Sequence, residues 1–211
     1  MSAQHDIAAA RSRTYWLLSR LLLEQPDREL LRELVGAADS DEDREQENEV
    51  KVLREAAQAA LASQSALTDL QVEYTRLLGS ASKLGGAPEP YESVAREGRL
   101  FGASAEAVAA RYADAGHQDL ILDTGPPDHL GTELRFLALL CYREMQAWED
   151  GDPDEAKELL DRQRAFLMQH VLAWAPAFCE SLDAHAGHPF YAAVARLTAG
   201  ACTGAVAQPC T

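Results

Sequence analysis

Basic residues are scarce in this chain: 19 Lys and Arg stand against 34 Asp and Glu in 211 residues, a formal charge of −15 at pH 7. Nucleic acids and anionic membranes present phosphate, so the imbalance argues against both and towards a basic partner. Cysteine is limited to Cys141, Cys179, Cys202 and Cys210, with no CxxC pair and no zinc-finger spacing. That argues against a disulfide framework or a structural zinc site and fits reduced thiols in a cytosolic setting. Isoleucine occurs only at Ile7 and Ile121, so a strongly strand-favouring residue type is nearly absent. Long hydrophobic runs are missing as well. Arg11, Arg13 and Arg20 interrupt the amino-terminal apolar stretch, which does not read as a secretory signal. No segment reaches the roughly 18 to 20 apolar residues that cross a bilayer. The expected localisation is cytoplasmic, without stable membrane insertion.

Catalytic signatures are lacking too. There is no GxxxxGK[ST] loop, no GxGxxG after a strand, no GxSxG elbow and no cysteine with a neighbouring histidine, so an enzyme is not expected.

What is present is helical periodicity, with an apolar content of 47% beside 25% charge. These features predict an all-α, single-domain helical bundle over residues 1–211, with two long irregular loops. A first helix is expected from Asp6 to Glu24 and a second, capped by Asp27, fades at Gly36. The acidic run Asp39 to Glu49 reads as a solvated connector to a helix carrying Val52, Leu53, Ala56, Ala60 and Leu61. Leu70, Tyr74, Leu77 and Leu78 mark a helix over Thr68–Leu78. The stretch from Ser80 to Ser104 has no clean period, and a helix follows from Ala105 to Ala115. Another starts at Asp128, with a stripe from Leu134 to Trp148. Asp152, Pro153 and Glu155 form a capping box whose helix carries its stripe on to Trp174. Pro176 and Pro189 open two short terminal helices, and the tail after Gly200 is expected to fray.

Two loops hold candidate chemistry. In GPPDHLGTEL, Gly125 to Leu134, a helix start offers unsatisfied N–H groups beside Asp128 and His129. Asp128 is either the helix cap or an acceptor for a polar ligand, and both readings stand. His129 and Glu133, four residues apart, share a helix face; with Asp128 they offer a metal-dependent hydrolase as a remote alternative, but no third ligand of normal spacing is present and no metal is expected. His170, on an apolar stripe, reads as a hydrogen-bonded core residue. In PEPYESV, Tyr91 beside Glu89 and Glu92 suits an arginine-bearing apolar peptide. Tyr91 packing into the core to pin the loop is the equal alternative.

These motifs resemble the TorD/DmsD family of redox enzyme maturation chaperones. The likeness runs in order through YTRLLG at Tyr74 to Gly79, PEPYESV at Pro88 to Val94, EGRLFG at Glu97 to Gly102 and PPDHLGTEL at Pro126 to Leu134. It implies an all-helical cytoplasmic chaperone that binds the twin-arginine leader and the apo catalytic subunit of a molybdopterin oxidoreductase, delaying export until the cofactor is inserted. The related nitrate-reductase assembly chaperones, whose client leader is a remnant, are the alternative within the family. The expected leader contacts are Asp128, His129, Pro127, Tyr74, Leu77, Leu78, Tyr91 and Glu92. No cofactor is expected; guanine nucleotide binding is implied by resemblance alone. The chain is expected to be a monomer or homodimer. Gly125 stands where relatives often have a glutamate, and Tyr74 and Leu78 replace a bulkier Trp and Phe of some members.

Overall fold

The computed structural model describes residues 3–36, 47–79, 89–120 and 125–207. Among them lie ten α-helices, a 3-10 turn and no strand: α1 (Ala3–Leu23), α2 (Arg28–Gly36), α3 (Glu47–Ala62), α4 (Gln64–Leu77), α5 (Glu92–Glu97), α6 (Ala103–Asp114), α7 (Leu130–Asp150), α8 (Pro153–Gln169), the turn Val171–Ala173, α9 (Ala175–His185) and α10 (Pro189–Ala207). The expectation of an all-α fold holds. Most of the acidic run, residues 39–46, and much of the first irregular loop, residues 80–88, lie outside the described residues. None of the described helices is long and apolar enough to cross a membrane.

The chain divides into two compact units. The first combines residues 1–23, 90–175 and 201–211. Its spine is α1 packed antiparallel on α7: Arg11 meets Glu144, Ser12 donates to the Ala138 carbonyl and Trp16 lies against Arg135. Small residues let the backbones approach. A Cβ on Gly131 would stand 2.5 Å from Leu23 Cγ and 3.1 Å from the Ser19 carbonyl oxygen. The buried Glu144 carboxylate is fully engaged: Arg11 Nη2 donates to both oxygens at 2.9 and 2.7 Å, and Gln163 Nε2 donates at 2.8 Å. Tyr112 of α6, Phe136 of α7 and Phe166 of α8 form an aromatic core, with ring centroids 4.8 and 4.9 Å apart about Phe136. Such tilted pairs add about 1 kcal/mol beyond the area they bury.

The second unit combines residues 24–89 and 176–200. Asp27 caps α2 as expected, its Oδ1 accepting from the N–H groups of Glu29 and Leu30. Leu30, Leu31, Leu34, Leu53, Leu70 and Leu77 fill the core. Tyr191 donates to the Leu70 carbonyl, and Glu73 holds Arg76 at 2.7 Å while accepting from the Gly187 N–H.

Four expectations change. The aperiodic stretch before α6 contains α5, six residues long, too short to show a period. α7 starts at Leu130 rather than Asp128 because the chain at His129 is extended, with ψ 132°. The Asp152 and Pro153 start of α8 is as expected, but the helix ends at Gln169. His170, Val171 and Trp174 remain buried through the 3-10 turn that follows. Finally, α10 runs through Gly200 and Gly204 to Ala207; each internal glycine costs a helix only about 1 kcal/mol, and Cys202 in the last turns is buried.

Candidate functional site

The PPDHL segment and residues 90–93 of the second motif are clipped together in the first unit by backbone. The Pro90 carbonyl accepts from Leu130 N–H at 2.9 Å, and the Asp128 carbonyl accepts from Glu92 N–H at 3.0 Å. Tyr91 and His129 thereby form an isolated antiparallel bridge. Their rings meet edge to face, with centroids 5.1 Å apart. Tyr112 secures the loop from below, its hydroxyl donating to the Pro127 carbonyl at 2.8 Å.

The two residues expected to compete for one helix cap serve different helices. His129 caps α7 through Nδ1, which accepts from Gly131 N–H at 3.0 Å. Asp128 instead caps α5 across the clip, its Oδ2 accepting from Ser93 N–H at 2.7 Å. A ring nitrogen that accepts carries no proton, so the His129 proton sits on Nε2. Burial lowers its pKa to about 4, and the imidazole is neutral at physiological pH.

Beneath the clip lies a group of carboxyls. Glu92, Asp128 and Glu133 are all 0% exposed. Glu92 binds Arg96 Nη1 through Oε1 and His170 Nδ1 through Oε2 at 3.0 Å, so the core reading of His170 is correct. Glu133 faces Glu92, Asp128 and the Trp174 indole, and neither of its oxygens has a hydrogen-bond partner of normal geometry. Burial first, and then repulsion from Glu92 and Asp128, push its pKa well above the usual carboxylate range. Glu133 therefore keeps its proton to higher pH than an exposed carboxyl does. The same burial, reinforced by Glu133, Asp128 and Glu92, raises the Tyr112 phenol. Asp128 Oδ1 and Ser93 Oγ are likewise covered and without a hydrogen-bond partner. Among the described residues, no group of three or more His, Cys, Asp and Glu is arranged to hold a metal ion.

Of the expected contacts, Pro127, Asp128, His129, Tyr91 and Glu92 come together here. Tyr91 is half-buried, whereas Pro127, Asp128, His129 and Glu92 are buried. Tyr74, Leu77 and Leu78 belong to the second unit, where Leu77 is fully buried, Leu78 is buried and Tyr74 is half-buried. The reading of the sequence missed the coupling of Glu133 to Glu92 and the Glu92–Arg96 pair. The four-residue spacing of the latter was the available signal.

The sequence model of the nitrate reductase delta subunit family matches residues 23–180. The chain belongs to this family. Its relatives within the family include the TorD chaperone of Photobacterium profundum, 27% identical over 91% of this chain and 90% of that protein. The Tat proofreading chaperone DmsD of Salmonella typhi is 33% identical over 48% of this chain and 43% of its own length. The chlorate reductase assembly chaperone of Ideonella dechloratans reaches 47% identity, over 28% of this chain and 29% of that protein. The resemblance to the TorD/DmsD family drawn from the four motifs therefore holds, over most of the chain for TorD and over about half of it for DmsD.

Proposed function

We propose that this family member is a cytoplasmic chaperone for the catalytic subunit of a molybdopterin-dependent oxidoreductase. It binds the subunit's twin-arginine leader, keeps the apo-subunit competent for cofactor insertion and delays its export. The observation that carries this reading is the clip itself: the two motif segments shared with the chaperone family are joined into one unit by the Tyr91–His129 bridge.

The geometry divides the work. Glu92 and Asp128, wholly covered, are positioning residues that fix α5 and the loop against each other. The half-buried Tyr91 ring offers a face on which a leader guanidinium can lie. Direct acceptance of an arginine by Asp128 uses Oδ1, which the closed clip covers, so that contact follows a local opening. Tyr74, the half-buried member of the second unit's three candidates, is a separate leader-contact candidate.

The test is calorimetric titration of the full chain with the synthetic leader of a molybdopterin oxidoreductase encoded in the same genome. A version of that leader with both arginines changed to lysine is the control. The expected result is saturable binding that weakens about tenfold with the lysine leader and with Tyr91→Ala, the loss of one cation–π or charge-assisted contact. Equal affinity for both leaders, or no binding to either, overturns the reading.

A further inference from the structure

The first unit also carries an open hollow of about 500 Å³, whose lining reaches the clip through Arg96 and His170, the two partners of Glu92. One wall is a face of α6 made of small side chains, Ala103, Ala107 and Ala110; Arg96 of α5 and Arg111 of α6 reach it from different helices, and Gln169 and His170 close its end. In a chain of net charge −15, this lining carries two arginines and no carboxylate. Both guanidinium groups are tethered to one residue. Arg96 Nη1 donates to the Gln169 carbonyl at 3.3 Å, and Arg111 Nη2 donates to Gln169 Oε1 at 2.9 Å.

The start of α6 is not the source of the attraction, because Glu97 already occupies it, accepting from Ala103 and Ser104 N–H groups at 2.8 Å each. Glu92 pairs with Arg96, whereas among the described residues Arg111 has no ion pair and donates to Gln169 instead. Each guanidinium has five N–H donors. Those bonded to Glu92 and Gln169 use two on Arg96 and one on Arg111, so donors remain on both. A carboxylate has two oxygens and is satisfied by one guanidinium fork, whereas a phosphoryl group has three and can bridge two forks. The cavity is of small-molecule size, and its alanine wall accommodates an apolar body beside the charged group.

We propose that this cavity is a binding site for a small phosphate monoester, its phosphoryl group held between Arg96 and Arg111 and its organic part lying along Ala103, Ala107 and Ala110. Nuclear magnetic resonance titration of the full chain tests it with three probes: inorganic phosphate, phenyl phosphate and acetate, each against sodium chloride at matched ionic strength. The expected result is saturable shifts of amides in residues 103–111 and 169–170, tighter with phenyl phosphate than with inorganic phosphate and weakest with acetate. Arg111→Gln, at an exposed position, should raise the dissociation constant about tenfold, the loss of one charge-assisted contact. Ala107→Glu, also exposed, should abolish binding by placing a carboxylate between the guanidinium groups. Acetate binding as tightly as phosphate overturns the choice of ligand. Variants that bind like the wild type, or shifts no larger than chloride produces, overturn the site. Both variants should bind the leader peptide normally, which separates failure here from failure of the chaperone reading.

Discussion

Asp128 and Ser93 are joined across 35 residues of sequence: the carboxylate of the one accepts the backbone N–H of the other at 2.7 Å, inside the protein. A six-residue helix such as α5 does not hold itself together in water, since nucleating a helix costs more than so few hydrogen bonds return. The Asp128 carboxylate supplies the acceptor that its first turn lacks. Asp128→Ala should therefore lower stability by about 1–3 kcal/mol, the range for losing a cap and leaving a buried donor. Asp128→Asn, which keeps an acceptor oxygen, should cost less. Thermal unfolding followed by circular dichroism checks both. An alanine variant that melts with the wild type shows that the cap carries no weight.

His129 makes stability depend on acid. Its unfolded pKa is about 6.5, and in the fold burial lowers it to about 4. Between those values the unfolded chain takes up a proton that the native chain refuses. Its contribution is fully present above about pH 6.5 and falls as the pH drops, the loss reaching about 3 kcal/mol once the pH reaches the folded pKa. His129→Asn keeps a capping oxygen without the titration. Denaturant unfolding between pH 4 and 7 should show a shallower loss for this variant than for the wild type; equal slopes refute the assignment.

Glu133 acts in the opposite sense. The native state keeps its proton while the unfolded chain releases it above about pH 4.3, so this residue's contribution weakens as pH rises. Glu133→Gln preserves the shape of the protonated acid and has nothing to release. Its melting temperature relative to wild type should become more favourable at pH 8 than at pH 5. Parallel pH profiles for the two proteins count against a protonated Glu133.

Gly131 permits the close approach of α1 and α7. An added Cβ meets the Leu23 side chain at 2.5 Å and the rigid Ser19 carbonyl at 3.1 Å. Gly131→Ala should cost about 1–3 kcal/mol as overpacking, despite alanine's better helix propensity. A chemical-denaturation midpoint at or above the wild-type value contradicts this packing.

Cys141 and Cys179 should resist alkylation. Both are buried thiols, and burial pushes each pKa up to about 12; Cys141 also donates to Gln163 Oε1 at 3.1 Å. Since the thiolate is the reacting species, iodoacetamide at pH 8 should label neither in the native protein and both after unfolding. Mass spectrometry of the peptides decides it, and rapid native labelling of Cys141 speaks against the packing of α7 on α8.

The parts that sequence makes legible are those set by neighbours along the chain. The stripe through Leu134 and Leu137, the Asp27 cap, the Asp152–Pro153 helix start and the buried role of His170 all follow from local spacing. The site resisted because its decisive contacts are distant. Asp128 stands where a cap belongs, yet its side chain turns to Ser93, and the imidazole of His129 takes over the local task. Glu133 lies between Leu130 and Leu134, both fully covered, and no local rule indicates that Glu92 will be its neighbour. Pro176 does not account for the break after α8, because it lies within the first turn of α9; the departure begins at His170, with φ −114° and ψ −75°.

The pairing of α1 with α7 sets a delay on the ribosome. Arg11 has to wait for Glu144, 133 residues later in the chain. At about 5–20 residues per second, that interval lasts roughly 7–27 s. During it, α1 exists with Leu18, Leu21 and Leu22, residues that the finished protein buries completely or nearly so, turned towards whatever else is nearby. A protein of a chaperone family thus begins its own life as a nascent chain with an unmet apolar helix, dependent for those seconds on protection by others.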